Sequence, residues 1–193
     1  SPPPAKVAER VALASKWKAA LGILGILSFY ISLSGVWTFI GSISTRAGLS
    51  AESSGEILAI ATMTGIVGAG CASLIGNRLP RLLLLLLGYA VMAGSVLLLL
   101  GQPDMLRFAL AALLFKFTWT FILPLILACL ADLDRSGKLM NASNLVIGGG
   151  LAIGPSVAGR LIEASGDFQS LLIGGACITL LSLVLILSCR PSA

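Results

Sequence analysis

The chain reads as an all-α, integral-membrane fold of six helices, and three observations carry that reading. Six apolar stretches fill nearly all of it, each close to the 20 or so residues that a helix needs to cross about 30 Å of hydrocarbon. Of its 193 residues, 57% are hydrophobic and 11% charged, and the mean hydropathy is +1.02; an ordinary water-soluble domain has neither value. Basic residues gather in alternate loops, as they do when the chain crosses a bilayer back and forth. Function is therefore expected from polar groups set among the helices, with the lipid bilayer as the first partner.

Residues 1–18 read as a cytoplasmic linker or tail. Ser1-Pro2-Pro3-Pro4 opens it and Lys6, Glu9, Arg10, Lys16 and Lys18 follow, a pattern unlike a signal peptide. The lack of an initiator methionine suggests sequence removed upstream. The six-span unit occupies residues 19–189. Its first span, 19–44, is interrupted by small and hydroxyl residues but by no charge. In the loop after it, Ser50 is placed to cap a helix, with Glu52 and Glu56 at the positive end of the dipole. The second span is 57–75. Gly76-Asn77-Arg78-Leu79-Pro80-Arg81 forms a tight basic turn before the third, 82–100, and Gly101-Gln102-Pro103-Asp104 is a turn signal. The fourth span, 105–131, carries Lys116 near its middle. The fifth, 141–162, is rich in glycine. The sixth is 170–188, leaving 190–193 as a cytoplasmic C-terminus.

Six crossings put both ends of the chain on one side. That side holds Lys6, Arg10, Lys16, Lys18, Arg78, Arg81, Arg135, Lys138 and Arg190; the other holds Arg46, Arg107 and Arg160 beside five acids. The positive-inside rule makes the first side cytoplasmic. The same rule explains the net charge of +5, and no basic run interleaved with aromatics suggests nucleic acid. Histidine is absent and the four cysteines stand singly in apolar segments, so neither a metal site nor a cofactor is expected. Nor is an enzyme, which would need clustered Asp, Glu, His or Ser near one interface. Asp132 and Asp134 suit capping or ion pairing better than metal or nucleotide binding.

Lys116 is the first candidate for chemistry. An ammonium that deep in a span needs water, an anion or a carboxylate. Trp119 and Thr120 share its helix face at i+3 and i+4. Either it lines a cavity and meets substrate or a moving proton, or it is a structural lysine satisfied by carbonyls or a neighbouring acid. In the first span Tyr30, Ser34, Trp37 and Thr38 form one stripe. These suit the wall of a solute path, or else an interfacial anchor with serines joining helices. Gly150, Gly154, Pro155 and Gly159 predict a close helix contact in the fifth span, either a moving hinge or a static groove. Gly76, Arg78 and Arg81 sit at a cytoplasmic membrane edge.

These features together resemble the carboxy-terminal half of a major facilitator superfamily transporter. Gly76 to Arg81 is similar to a weakened copy of that family's Gly-x-x-x-Asp-Arg-x-Gly-Arg loop, with Asn77 in place of the acid and Pro80 in place of glycine. Gly150 to Gly159 resembles its Gly-x-x-x-Gly-Pro helix. Trp119 to Pro124, then Leu133 to Lys138, also has the family's look, and the resemblance covers the chain from about Lys16 onward. It implies half of a twelve-helix fold, with the first and fourth spans on a central cavity and the second and fifth against an N-terminal six-helix half. The basic turn would then be a gating loop. The implied function is secondary active transport of a small organic solute by alternating access, proton-coupled by default, in the bacterial cytoplasmic membrane. The alternative is a half-size membrane protein that works as a homodimer or partner subunit without transport.

Overall fold

The computed structural model describes residues 4–134 and 136–190, so Ser1–Pro3 of the linker, Arg135 of the basic edge and residues 191–193 of the tail lie outside the described residues. The described chain is all-α: α1 (Pro4–Arg46), α2 (Ala51–Ile75), α3 (Arg81–Leu97), α4 (Met105–Ala131), α5 (Lys138–Ser165) and α6 (Gln169–Cys189). All but α3 are long and apolar enough to cross a membrane, which fits a multi-pass membrane protein.

Two helices differ from the expected spans. α1 is 43 residues long, about 65 Å at 1.5 Å per residue, twice the hydrocarbon thickness. The stretch expected as a linker continues the helix, because residues 5–14 are mostly Ala, Lys, Glu, Arg and Leu, strong helix formers, and proline is tolerated in a first turn. α3 has 17 residues and stops three short of the expected Leu100. The chain turns through Leu98–Leu100 into Gly101, whose φ of +73° suits glycine. The Arg107 guanidinium donates to the Leu100 carbonyl at 2.6 Å, satisfying that end.

The loops are held by short-range polar contacts. Ser50 caps α2 as expected, accepting from the Ser53 N–H at 3.2 Å. Asp104 accepts from the Arg107 N–H at 2.8 Å at the start of α4. The two loop aspartates have separate structural jobs, as the sequence suggested. Asp132 pairs with Arg81 at 2.8 Å, tying the start of α3 to the end of α4. Asp134 accepts from the N–H groups of Gly137 and Met140 at 2.9 and 3.1 Å, closing the N-terminus of α5.

Helix pairing follows a repeating rule. α1 packs along α5 and α6, α4 packs along α2 and α3, and α3 meets α6. Exchanging the first three helices with the last three maps this pattern onto itself. α2 and α5 make their contacts with matching stripes of small residues: Ser54, Ala61 and Gly65 in one, Ser143, Gly150 and Gly154 in the other, all buried. Each spacing is seven then four, so both stripes lie on a single helix face.

Two glycines on these helix faces, Gly154 and Gly68, are required by contact with the facing backbone. A Cβ on Gly154 would stand 2.6 Å from the Ile31 carbonyl and collide with the Ser34 hydroxyl. A Cβ on Gly68 would collide with the Phe117 carbonyl and the Thr120 hydroxyl. Behind these seams, the apolar core runs through Phe29, Leu33, Tyr89, Phe108, Phe115 and Ile126, all fully buried.

Candidate functional site

Lys116 lies 11 residues into α4, about 16 Å from its start. Its Nζ stands 4.0 Å from the centroid of the Trp119 ring and 4.5 Å from that of Trp37. Helical spacing places Trp119 one turn beyond Lys116, while α1 brings in Trp37 from the neighbouring helix. Tyr30 closes the group, edge-on to Trp119 at 6.3 Å. Phe115 lies parallel to Trp37 with centroids 6.1 Å apart and meets Trp119 edge-on at 6.2 Å. The ammonium thus sits in an aromatic cage built by α1 and α4.

The cage leaves the charge only partly compensated. Each cation–π contact contributes about 0.5–2 kcal/mol, whereas a lysine at the centre of a spanning helix costs about 2.5–3.5 kcal/mol on the lowest scales. Among the described residues the ion pair found is Arg81–Asp132, at the bundle's end. The chain's acids are Glu9, Glu52, Glu56, Asp104, Asp132, Asp134, Glu163 and Asp167, all in loops, near helix ends or in the α1 extension. Among the described residues no carboxylate pairs with Lys116.

Not every predicted residue joins the cage. Tyr30, Trp37, Lys116 and Trp119 do. Ser34 turns to α5, donating to the Gly150 carbonyl at 3.0 Å, because the glycine stripe brings that backbone within reach. Thr120 turns to α2, where its methyl lies against Gly65 and its hydroxyl donates back to the Phe117 carbonyl at 3.1 Å. Thr38 is exposed and donates to the Ser34 carbonyl at 2.7 Å. Phe115 is a cage member that sequence reasoning missed; its only signal was adjacency to Lys116, and a phenylalanine in a span reads as core.

Gly150 and Gly154 form the expected close contact, made with α1. Gly159 does not take part, since a Cβ there would meet only Phe39 at an ordinary 3.8 Å. Pro155 is half-buried within the unbroken α5 helix. In the basic turn Arg78 is exposed and Arg81 is held by Asp132. A Cβ on Gly76 would come within 2.6 Å of the Ala72 carbonyl.

A cleft of about 580 Å³ opens between the C-terminal end of α1 and the start of α2. Thr38 and Leu58 line its inner end and Arg46 and Ala51 its mouth. Eight residues of α1 separate Thr38 from Arg46, so the lining runs about 12 Å along that helix. Ser54 is buried in its wall, and its hydroxyl has no protein partner. Among the described residues, no group of three Cys, Asp or Glu side chains converges to hold a metal.

No protein-family model matches this chain, and no curated protein matches its sequence.

Proposed function

We propose that the chain is half of a secondary transporter of the major facilitator type, moving a small organic solute across the cytoplasmic membrane by alternating access. The observation that carries this reading is the Lys116 ammonium, held at mid-helix between two indole faces with no carboxylate beside it. Such a group in a span faces the bundle interior or a water-filled cavity and marks a solute or ion path by default. Three further features support it. The pairing pattern of two exchangeable three-helix units is what nested inverted repeats produce. The broad outer faces of α2 and α5, with Ile66 at 75% and Leu145 at 78% exposure, offer apolar surface to a six-helix partner. A cleft between α1 and α2 is lined at one end by Thr38, the residue next to Trp37 in the sequence.

In this reading both termini are cytoplasmic and the α1–α2 cleft faces outward. The partner is an N-terminal six-helix half or a second copy of the chain. No acid lies within the predicted spans, so a proton-carrying carboxylate would come from the partner.

The test is water access at position 116. Replace Cys71, Cys129, Cys177 and Cys189 by alanine, introduce Lys116→Cys, and label intact cells and inverted vesicles with a charged thiol reagent. Labelling from either compartment is the expected result. A thiol at 116 that never reacts, beside a control at Thr38→Cys that does, would reduce the cage to scaffolding.

A further inference from the structure

We infer that the solute held at Lys116 is a small organic anion with an apolar body, its acid group on the ammonium and its body against the cage rings. This rests on the transport reading for its setting and deepens it by naming the substrate class. Charge is the first argument. Lys116 meets only the faces of Trp37 and Trp119, which carry partial negative charge but no counter-ion. An incoming carboxylate would complete the site, because the chain's own acids are elsewhere.

The α1–α2 cleft carries one charged residue in its lining, Arg46, whose guanidinium donates to the Gly166 carbonyl at 3.1 Å and lies over the Phe168 ring. Ala51, Ser54, Gly55 and Leu58 are the α2 residues that face it, a spacing of one helical face. Glu52 and Glu56 fall about 100–140° away around α2 and are exposed. Both acids are therefore turned away from the cleft, which has no carboxylate in its lining.

The lining also carries hydroxyl residues. Ser54 is 4% exposed, and its buried hydroxyl has no partner. Thr38 is next to Trp37 in sequence and lines the inner end. The cage rings supply the apolar surface that makes the remainder of such a solute bind.

The tryptophans make this directly measurable. The chain has three; two are in the cage, and Trp17 is exposed on the α1 extension. Take the full chain with Trp17→Phe in lipid nanodiscs and titrate it with benzoate, benzyl alcohol and benzylammonium while following tryptophan emission. These probes share a ring and differ in charge. Benzoate should give a saturable change, at an affinity at least about tenfold above that of benzyl alcohol, and benzylammonium should give none. Lys116→Gln should lower benzoate affinity at least about tenfold, and Lys116→Arg should keep it within about threefold. Thermal unfolding of the variants checks that the bundle is intact.

Equal binding of benzoate and benzyl alcohol would overturn the proposal. So would no benzoate response, or unchanged affinity in Lys116→Gln. The two readings fail separately. Benzoate that binds with this charge preference but is never carried into proteoliposomes leaves the anion site and removes transport. A position 116 that is wet from either side in a protein blind to charge does the reverse.

Discussion

Where α1 meets α3 and α6, polar atoms in the apolar bundle are fully paired. The Ser182 hydroxyl donates to the Gly25 carbonyl at 2.6 Å, so the Tyr89 hydroxyl, 2.9 Å away, is the donor to Ser182. The Ser32 and Thr179 hydroxyls lie 2.8 Å apart and each reaches the Gly175 carbonyl. At the α1–α4 face the largest polar group of all, the Lys116 ammonium, has two rings and no acceptor. Both regions belong to the same bundle, the first buried and Lys116 half-buried. The contrast separates polar groups that hold helices together from one that is kept open for something to arrive.

The contacts beneath both regions are the place to expect the largest effect. Gly68→Ala puts a methyl against the Phe117 carbonyl, which is backbone and cannot rotate aside. It should cost about 1–3 kcal/mol, read as a loss of thermal stability in detergent. Gly70→Ala, one position around the helix pair, meets open space and should be neutral or gain up to about 1 kcal/mol of helix propensity. Equal effects at 68 and 70 would mean that α2 does not pack on α4 through its glycine stripe. The cage and the sealed seam would then lose their common frame.

These same seams show how far the sequence could be read. Gly150 and Gly154 announced a close contact through their spacing. It could not show that Ser34 would be drawn into that contact, because Ser34 and Trp37 sit on one stripe of α1 and the choice between them is made by which helix lies opposite. Thr120 left the cage for the same reason when Gly65 and Gly68 brought α2 close. Lys116 with Trp119 was legible because i and i+3 on one helix must meet; Trp37 joined it from another helix, as the polar stripe suggested. The α1 extension was not legible as helix behind three prolines and a charge mixture, although the residues that follow are strong helix formers. Ser54 and its cleft left no trace, since a serine in a helix's first turn reads only as capping chemistry. The matched stripes of α2 and α5 were equally hidden, because only burial shows which small residues count.

A direct probe of the contrast is to truncate one member of each region. Tyr89→Phe removes the hydrogen bond to Ser182 but leaves the ring, which is fully buried. The expected loss is about 0.6–1.5 kcal/mol, the usual range for a hydroxyl between helices in lipid. Lys116→Met keeps the chain length, removes the charge and gives up two cation–π contacts. It should change stability by less than about 1 kcal/mol, because relief from burying the ammonium offsets those contacts. Melting in nanodiscs reads both. If Lys116→Met unfolds the bundle while Tyr89→Phe does nothing, the assignment of glue and site is reversed.

Asp134 offers a charge treated in the manner opposite to Lys116, and the smallest effect. Partial desolvation works against its carboxylate, but the N–H groups of Met140, Leu139, Ser136 and Gly137 outweigh it and hold its pKa below the ordinary 3.8. A group whose folded pKa is depressed stabilises fully above the unfolded value and loses that contribution as pH falls through the folded one. The melting temperature of the wild type should therefore exceed that of Asp134→Ala by a constant margin above about pH 5, and the margin should close below the ordinary 3.8. Other carboxylates titrate in both proteins and cancel in the difference. A margin that stays flat to pH 3 would mean that the four donors are satisfied without the charge. Compensation by backbone would then not be what distinguishes this exposed aspartate from the lysine left open at the cage.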